Sequence, residues 1–205
     1  MARPPSGEEF NPGEVTQPRQ AASLILLRDS PYGPEVLLVQ RNPQQRFMGG
    51  AWVFPGGATH TGDDEDHAAT AIRELEEEAG IALPRHVELV PFSRWITPEQ
   101  VKVRFDTWFF AAHAPAGTEA KPDGSECVDA RWLRPAAALA AHAQDELALV
   151  FPTIKHLELL SESVSVDETL DAARVRPVEP IMPKVAIRAG NAQVVLPGEP
   201  GYDDA

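Results

Sequence analysis

The segment from residue 66 to residue 80 constrains the fold of this chain more than any other. Its apolar residues recur at the three- and four-residue spacing of one helix face, and Gly80 is the residue type that most often ends a helix. The pattern predicts an amphipathic helix over 66–79. The opposite face collects an arginine and three glutamates: Arg73, Glu74, Glu77 and Glu78.

Clustered carboxylates repel one another, and helix stability does not require them. They become favourable where a hard divalent cation binds, because Mg²⁺ prefers oxygen ligands and keeps waters and substrate phosphates in its shell. A glutamate-rich helix face alone is more often just solvated. Here a glycine turn at 55–57 precedes the helix, an arginine lies on the acidic face and a glycine closes the helix. This combination indicates a metal-assisted site for a phosphate compound.

With these residues the chain resembles the Nudix hydrolases, whose signature is Gly, five residues, Glu, seven residues, then Arg-Glu-apolar-x-Glu-Glu-x-Gly-apolar. Residues 73–81 match every fixed position of the second half. Counting back seven residues from Arg73 reaches Glu65, whereas counting on five residues from Gly57 reaches Asp63. We interpret this as a two-residue insertion in the loop, with Glu65 at the first acidic position and Asp63 as the alternative.

The resemblance implies roles for the matched residues. Glu77 and Glu78 are implied as the primary metal ligands, with Glu74 assisting the metal or acting as base. Arg73 is implied to orient the glutamates by a charge-assisted hydrogen bond. The carbonyl of Gly57 is implied as a further ligand, and the ion is Mg²⁺ or Mn²⁺.

A further glutamate is expected from a loop before a late strand, as members of the family often have one. Glu126, in the loop 123–126, is the candidate. A solvated loop acid is an equally open interpretation of this residue.

Flanking residues bear on the substrate. Residues 37–57 are similar to the motif that precedes the signature in the coenzyme A diphosphatase branch, in which Arg41 and Arg46 hold arginine positions; the resemblance extends to 196–202. It implies cleavage of CoA or acyl-CoA into 3′,5′-ADP and 4′-phosphopantetheine or its acyl form. Guanidinium groups suit phosphate oxygens, and Arg104 is a secondary candidate for such a contact. Three positions depart from the motif: Val39, Asn42 and Pro43.

Other functions remain open at this point. A pyrophosphatase of ADP-ribose, a dinucleotide or a nucleotide sugar would keep the same helix. A non-catalytic module that senses a nucleotide is an alternative of another class, which loss of the helix glutamates would favour. Isomerase chemistry on an isoprenoid diphosphate would depend on Cys127, the single thiol of the chain.

Composition limits the partners. A chain of 205 residues suits one domain, placed at 20–202 behind a tail, 1–19, that is rich in Pro and Glu and predicted to be disordered. No run approaches the roughly 20 apolar residues of a membrane span. The net charge of −13 argues against nucleic acid, so a nucleotide-type substrate must be held by metal and local arginines. The single cysteine fits a reducing cytoplasm, and homodimers are frequent in the family.

The hydrophobic pattern alternates between strands and helices. A mixed β-sheet between helices is therefore predicted, and the resemblance implies the same α/β/α sandwich. The predicted strands are 20–29, 35–41, 87–96, 101–113 and 126–133, and a hairpin spans 184–196. The predicted helices are 66–79, 136–143, 145–160, with an interruption near Pro152, and 166–174.

Overall fold

The structure is a computed structural model, and some segments lie outside the residues it describes. The two candidates for the first acidic position, Asp63 and Glu65, are among these, as are residues 1–8 of the predicted tail. The described residues are 9–11, 13–60, 66–188 and 191–205.

The described residues form ten strands and four helices. In chain order they are β1 (Arg19–Ser30), β2 (Gly33–Arg41), β3 (Trp52–Val53), β4 (Gly56–Ala58), α1 (His67–Ala79), β5 (Val90–Ile96), β6 (Phe105–His113), β7 (Cys127–Leu133), α2 (Pro135–Ala143), α3 (Phe151–Leu160), α4 (Val166–Val175), β8 (Pro180–Ile181), β9 (Lys184–Arg188) and β10 (Asn191–Val195).

Eight of these strands form one mixed sheet. The order is β3-β2-β1-β6-β5-β8, with β4 pairing β1 and β7 pairing β2. The β1–β6 and β5–β8 pairs are parallel, and the other pairs are antiparallel. Strands β9 and β10 form a separate antiparallel hairpin.

Helices cover the sheet on both faces, because alternate residues of the central strands face opposite sides. Leu24 and Leu26 of β1 belong to the hydrophobic core beneath α1. Ile25 and Leu27 belong to the second core, which α2, α3 and α4 cover. The predicted α/β/α sandwich with a mixed sheet is confirmed.

The sequence predicts one helix too long. The predicted helix over 145–160 begins only at Phe151. Asp145 adopts a left-handed backbone conformation, with φ of 58°, which interrupts helix geometry after α2. Pro152 lies in the first turn of α3, where its missing N–H costs no hydrogen bond.

The described part of the predicted tail contacts the domain. Phe10 forms a β-bridge with Val101, and Lys102 pairs with Glu9 at 3.1 Å. None of the described helices is both long and apolar enough to cross a membrane.

Candidate active site

Helix α1 is fixed at both ends and along one face. The side chain of Asp66 accepts a hydrogen bond from the backbone N–H of Ala69, and Gly80 ends the helix in the left-handed conformation, with φ of 65°. Ala71 and Leu75 are fully buried against β1. The side chains on the other face of α1 therefore have defined positions beside β4.

Glu78 is the most buried of the helix carboxylates, with 2% of its surface exposed. The backbone N–H of Gly56 donates to its Oε2 at 2.9 Å, and Arg41 Nη1 lies 3.8 Å from Oε1. Burial raises the pKa of Glu78 to about 7, although Gly56 and Arg41 both favour the ionised form. A carboxylate held this way lacks a full countercharge.

Glu74 is 7% exposed and packs directly on Gly57. A Cβ at position 57 would lie 2.6 Å from the Glu74 carboxyl carbon, so a side chain there would displace the carboxylate. Burial raises the pKa of Glu74, against the effect of Arg73, whose Nη1 lies 2.9 Å from Oε1. The glycine turn thus makes room for the acid.

Glu77 differs from its neighbours because its side chain is 58% exposed. Arg73 Nη1 lies 2.7 Å from Glu77 Oε2, and Arg73 Nη2 donates to the carbonyl of Ala58 at 3.2 Å. Arg73 therefore joins two of the glutamates to β4.

The donor set fits a hard divalent cation. The carboxylates supply oxygen ligands. Burial, and to a lesser extent the neighbouring carboxylates, raises the pKa values of Glu74 and Glu78, and a bound cation would favour their ionised forms. In the described parts of the chain no three His, Cys, Asp or Glu side chains converge closely enough to hold an ion as they stand. The Arg73 guanidinium contacts both Glu74 and Glu77.

Glu126 reaches the same place from β7. Arg41 at the end of β2 pairs in register with Cys127 at the beginning of β7, which brings the preceding glutamate beside the acidic face. Glu126 lines the cleft in front of α1. Burial is the main cause of the raised pKa of Glu74, and the charges of Glu77 and Glu126 raise this pKa further.

A cleft of about 570 Å³ opens in front of these acids. One part of its lining is charged and includes Arg41, Arg73 and the glutamates Glu74, Glu77, Glu78 and Glu126. The rest is mostly apolar and comes from the 47–48 segment, β5, β6, the beginning of α3 and the β9–β10 hairpin. The arrangement suits a substrate with a phosphate part and an apolar part.

The three arginines expected to contact substrate lie in different environments. Arg41 lines the cleft. Arg46 is exposed and does not belong to the lining, although the next two residues, 47 and 48, do.

Arg104 is a correction to the sequence analysis. It is 6% exposed, and its guanidinium donates to the carbonyls of Thr97 at 3.0 Å and Thr16 at 2.6 Å. It holds the segment before β1 in place and does not belong to the lining of the cleft.

Sequence reasoning missed the apolar part of the cleft at α3. Val150 and Thr153 line it there, and Val185 and Val194 line it from the hairpin. These residues look like ordinary core positions in the sequence, and only the tertiary arrangement brings them to the cleft. Two aromatic residues, Phe47 and Trp95, also line the cleft.

The fold and the acidic site define a hydrolase of phosphoanhydrides in nucleoside diphosphate-linked compounds. The chain belongs to the NUDIX domain family, which matches residues 17–153. Nudix hydrolases generally use divalent metal ions, in agreement with the donor set of α1.

Solved structures of the same fold agree with this assignment. A NUDIX hydrolase from Alicyclobacillus acidocaldarius is 26% identical, with a TM-score of 0.70, over 80% of this chain and 100% of that one. The NUDIX domain of Shewanella oneidensis NrtR, complexed with ADP ribose, is 21% identical with a TM-score of 0.54, over 73% of this chain and 90% of that one. A C. elegans Ap4A hydrolase is 20% identical with a TM-score of 0.54, over 70% of this chain and 95% of that one. The last two support the fold alone.

Proposed function

We propose that the protein hydrolyses the diphosphate of CoA or acyl-CoA, releasing 3′,5′-ADP and 4′-phosphopantetheine or its acyl form. The single observation that carries the proposal is the composition of the cleft, in which a charged part beside α1 continues into an apolar part. CoA has the same two parts, a charged nucleotide diphosphate and an uncharged arm. The similarity of residues 37–57 to the CoA diphosphatase motif supports the same substrate.

The metal site of the proposal consists of Glu74, Glu77, Glu78 and the carbonyl of Gly57. A bound Mg²⁺ or Mn²⁺ would neutralise diphosphate oxygens and lower the pKa of an attacking water. Arg73 keeps Glu74 and Glu77 in place from one side.

The remaining residues of the proposal act on the substrate. Arg41, beside Glu78, offers a planar donor to a phosphate oxygen. Arg46 is proposed to bind a distal phosphate that extends beyond the cleft. Glu126 faces the acids of α1 and is proposed as an additional carboxylate of the site, in the role of ligand or base.

The test is Mg²⁺-dependent hydrolysis of five substrates side by side, with products resolved by mass. The substrates are CoA, acetyl-CoA, ADP-ribose, NADH and a diadenosine polyphosphate. Release of 3′,5′-ADP from the CoA compounds well above turnover of the other substrates is the expected result. Preference for ADP-ribose or a dinucleotide would reject CoA while keeping the hydrolase.

A further inference from the structure

The first turn of α3 presents unused hydrogen-bond donors at the cleft. No side chain caps this helix at its N-terminus, and the amides of Phe151 and Thr153 have no intrahelical partner by position. Val150, Phe151, Pro152 and Thr153 all line the cleft. Trp95 of β5 also lines the cleft, and its ring centroid lies 6.2 Å from that of Phe151. We call these four residues and Trp95 the α3 end of the cleft.

Two buried polar side chains at the α3 end lack partners. Thr153 is 3% exposed, and no hydrogen bond joins its hydroxyl to another described residue. Trp95 is 7% exposed, and its indole Nε1–H has no acceptor among the described residues. A buried donor is normally satisfied, so the Trp95 N–H indicates a ligand that carries an acceptor, and the Thr153 hydroxyl at the cleft wall can meet the same ligand.

His156 links the α3 end to β5. This residue is buried among Phe54, Phe92, Trp95 and Phe109. Its Nδ1 lies 2.7 Å from the carbonyl of Pro152, which can only accept, so Nδ1 carries the hydrogen and Nε2 accepts from Ser93 Oγ at 2.6 Å. The chain thus fixes the first turn of α3 to β5 before any ligand arrives.

Charge decides what kind of acceptor fits. Neither α3 nor β5 contributes a cation to the described lining of the cleft, whose arginines come from β1, β2 and α1. The residues that precede Thr153 in the lining, Val150, Phe151 and Pro152, are apolar or aromatic. A phosphate would lack a countercharge at this position. A neutral amide or a nucleobase edge carries no charge and needs none.

We propose that the α3 end binds an uncharged, mostly apolar group of the substrate through an acceptor that meets the Thr153 hydroxyl, the Trp95 indole N–H and the free amides of α3. The inference rests on the proposed function, because it concerns the same cleft. Two parts of a CoA-type substrate have this chemistry, the amide-bearing pantetheine arm and the adenine base.

The experiment compares Thr153→Val with the wild type. Valine keeps the shape of threonine and removes only the hydroxyl. We expect KM for the best substrate to rise about three- to tenfold, the range of one neutral hydrogen bond. We expect kcat to stay within about twofold, since the contact lies away from the reacting atoms. Thr153→Ser should restore KM, and Thr169→Val, the same change at a buried position of α4, should leave it unchanged.

Fragment binding tests the inference without hydrolysis. Dissociation constants of pantetheine, adenosine and inorganic phosphate are measured by NMR titration on the wild type, Thr153→Val and Trp95→Phe. Loss of affinity for pantetheine in both variants assigns the arm to the α3 end, and loss for adenosine assigns the base.

The inference is overturned if both uncharged fragments bind Thr153→Val as they bind the wild type, or if neither binds the wild type. It is also overturned if the substitutions affect inorganic phosphate alone. Because the fragments need no turnover, failure of the proposed CoA activity and failure of this inference give different results.

Discussion

At the scale of single residues, burial separates glutamates that look equivalent in the sequence. The helical period places Glu74, Glu77 and Glu78 on one face, and this could be predicted. Their depth could not, because it depends on β4, which approaches α1 through tertiary pairing with β1. As a result Glu74 and Glu78 have a raised pKa, whereas Glu77 is exposed and forms an ion pair with Arg73.

Gly57→Ala tests whether the site needs this close approach of β4. The new methyl group would displace the Glu74 carboxylate. We expect kcat/KM to fall on the order of 10²-fold, the effect of misplacing a catalytic group by about 1 Å. The measurement is steady-state kinetics with CoA or the best substrate of the panel.

Gly13→Ala is the control, because a Cβ there meets no heavy atom within 4 Å. It should retain the wild-type kcat/KM. Wild-type kinetics in Gly57→Ala would show that the position of Glu74 does not matter for turnover.

At the scale of elements, local signals predicted α1 well and α3 poorly. The predicted end of α1 at residue 79 is confirmed. It could be predicted because the cap, the apolar period and the closing glycine all lie within the helix or directly beside it. The segment 145–150 has helix-forming composition, but a left-handed residue at Asp145 and pairing of Leu149 with Trp52 hold it out of the helix. Such long-range contacts leave no local pattern in the sequence.

His156, which anchors α3, predicts a specific acid sensitivity. Burial lowers the pKa of His156 to about 3, below its ordinary value in an unfolded chain. The unfolded state therefore takes up a proton first as the pH falls. The contribution of neutral His156 to the free energy of unfolding is fully present above about pH 6.5. It is lost as the pH falls towards 3, by up to about 4 kcal/mol.

Thermal unfolding from pH 7.5 to pH 4 measures this loss. The double variant Ser93→Ala/His156→Phe leaves no unpaired hydroxyl and should show a shallower decline of Tm than the wild type. His86→Gln, a change at an exposed histidine, should keep the wild-type slope. Equal slopes in all three proteins would contradict the role assigned to His156.

At the scale of the whole molecule, an acidic protein presents a site for an anionic substrate. The net charge of −13 gives no long-range attraction, so binding depends on the cleft and on the cation that the glutamates are proposed to hold. The sequence predicted this charged part through its signature. It did not predict the apolar part, because α3, β5 and the β9–β10 hairpin meet there only in the folded protein.

The central claim is that the acidic face of α1 supports metal-dependent hydrolysis. Glu77→Gln tests it most directly, because this side chain is exposed and its replacement should leave the free energy of unfolding within about 0.5 kcal/mol of the wild type. Glu76→Gln is the matched control, since Glu76 is also exposed on α1 but does not line the cleft.

The measurement is the initial rate of CoA hydrolysis with Mg²⁺ for the wild type and both variants, and for the wild type in EDTA. We predict that Glu77→Gln loses at least about 10²-fold in kcat, as expected when a group that stabilises the transition state is removed. Glu76→Gln should match the wild type, and EDTA should stop turnover. A wild-type rate in Glu77→Gln, or full activity in EDTA, would contradict the account.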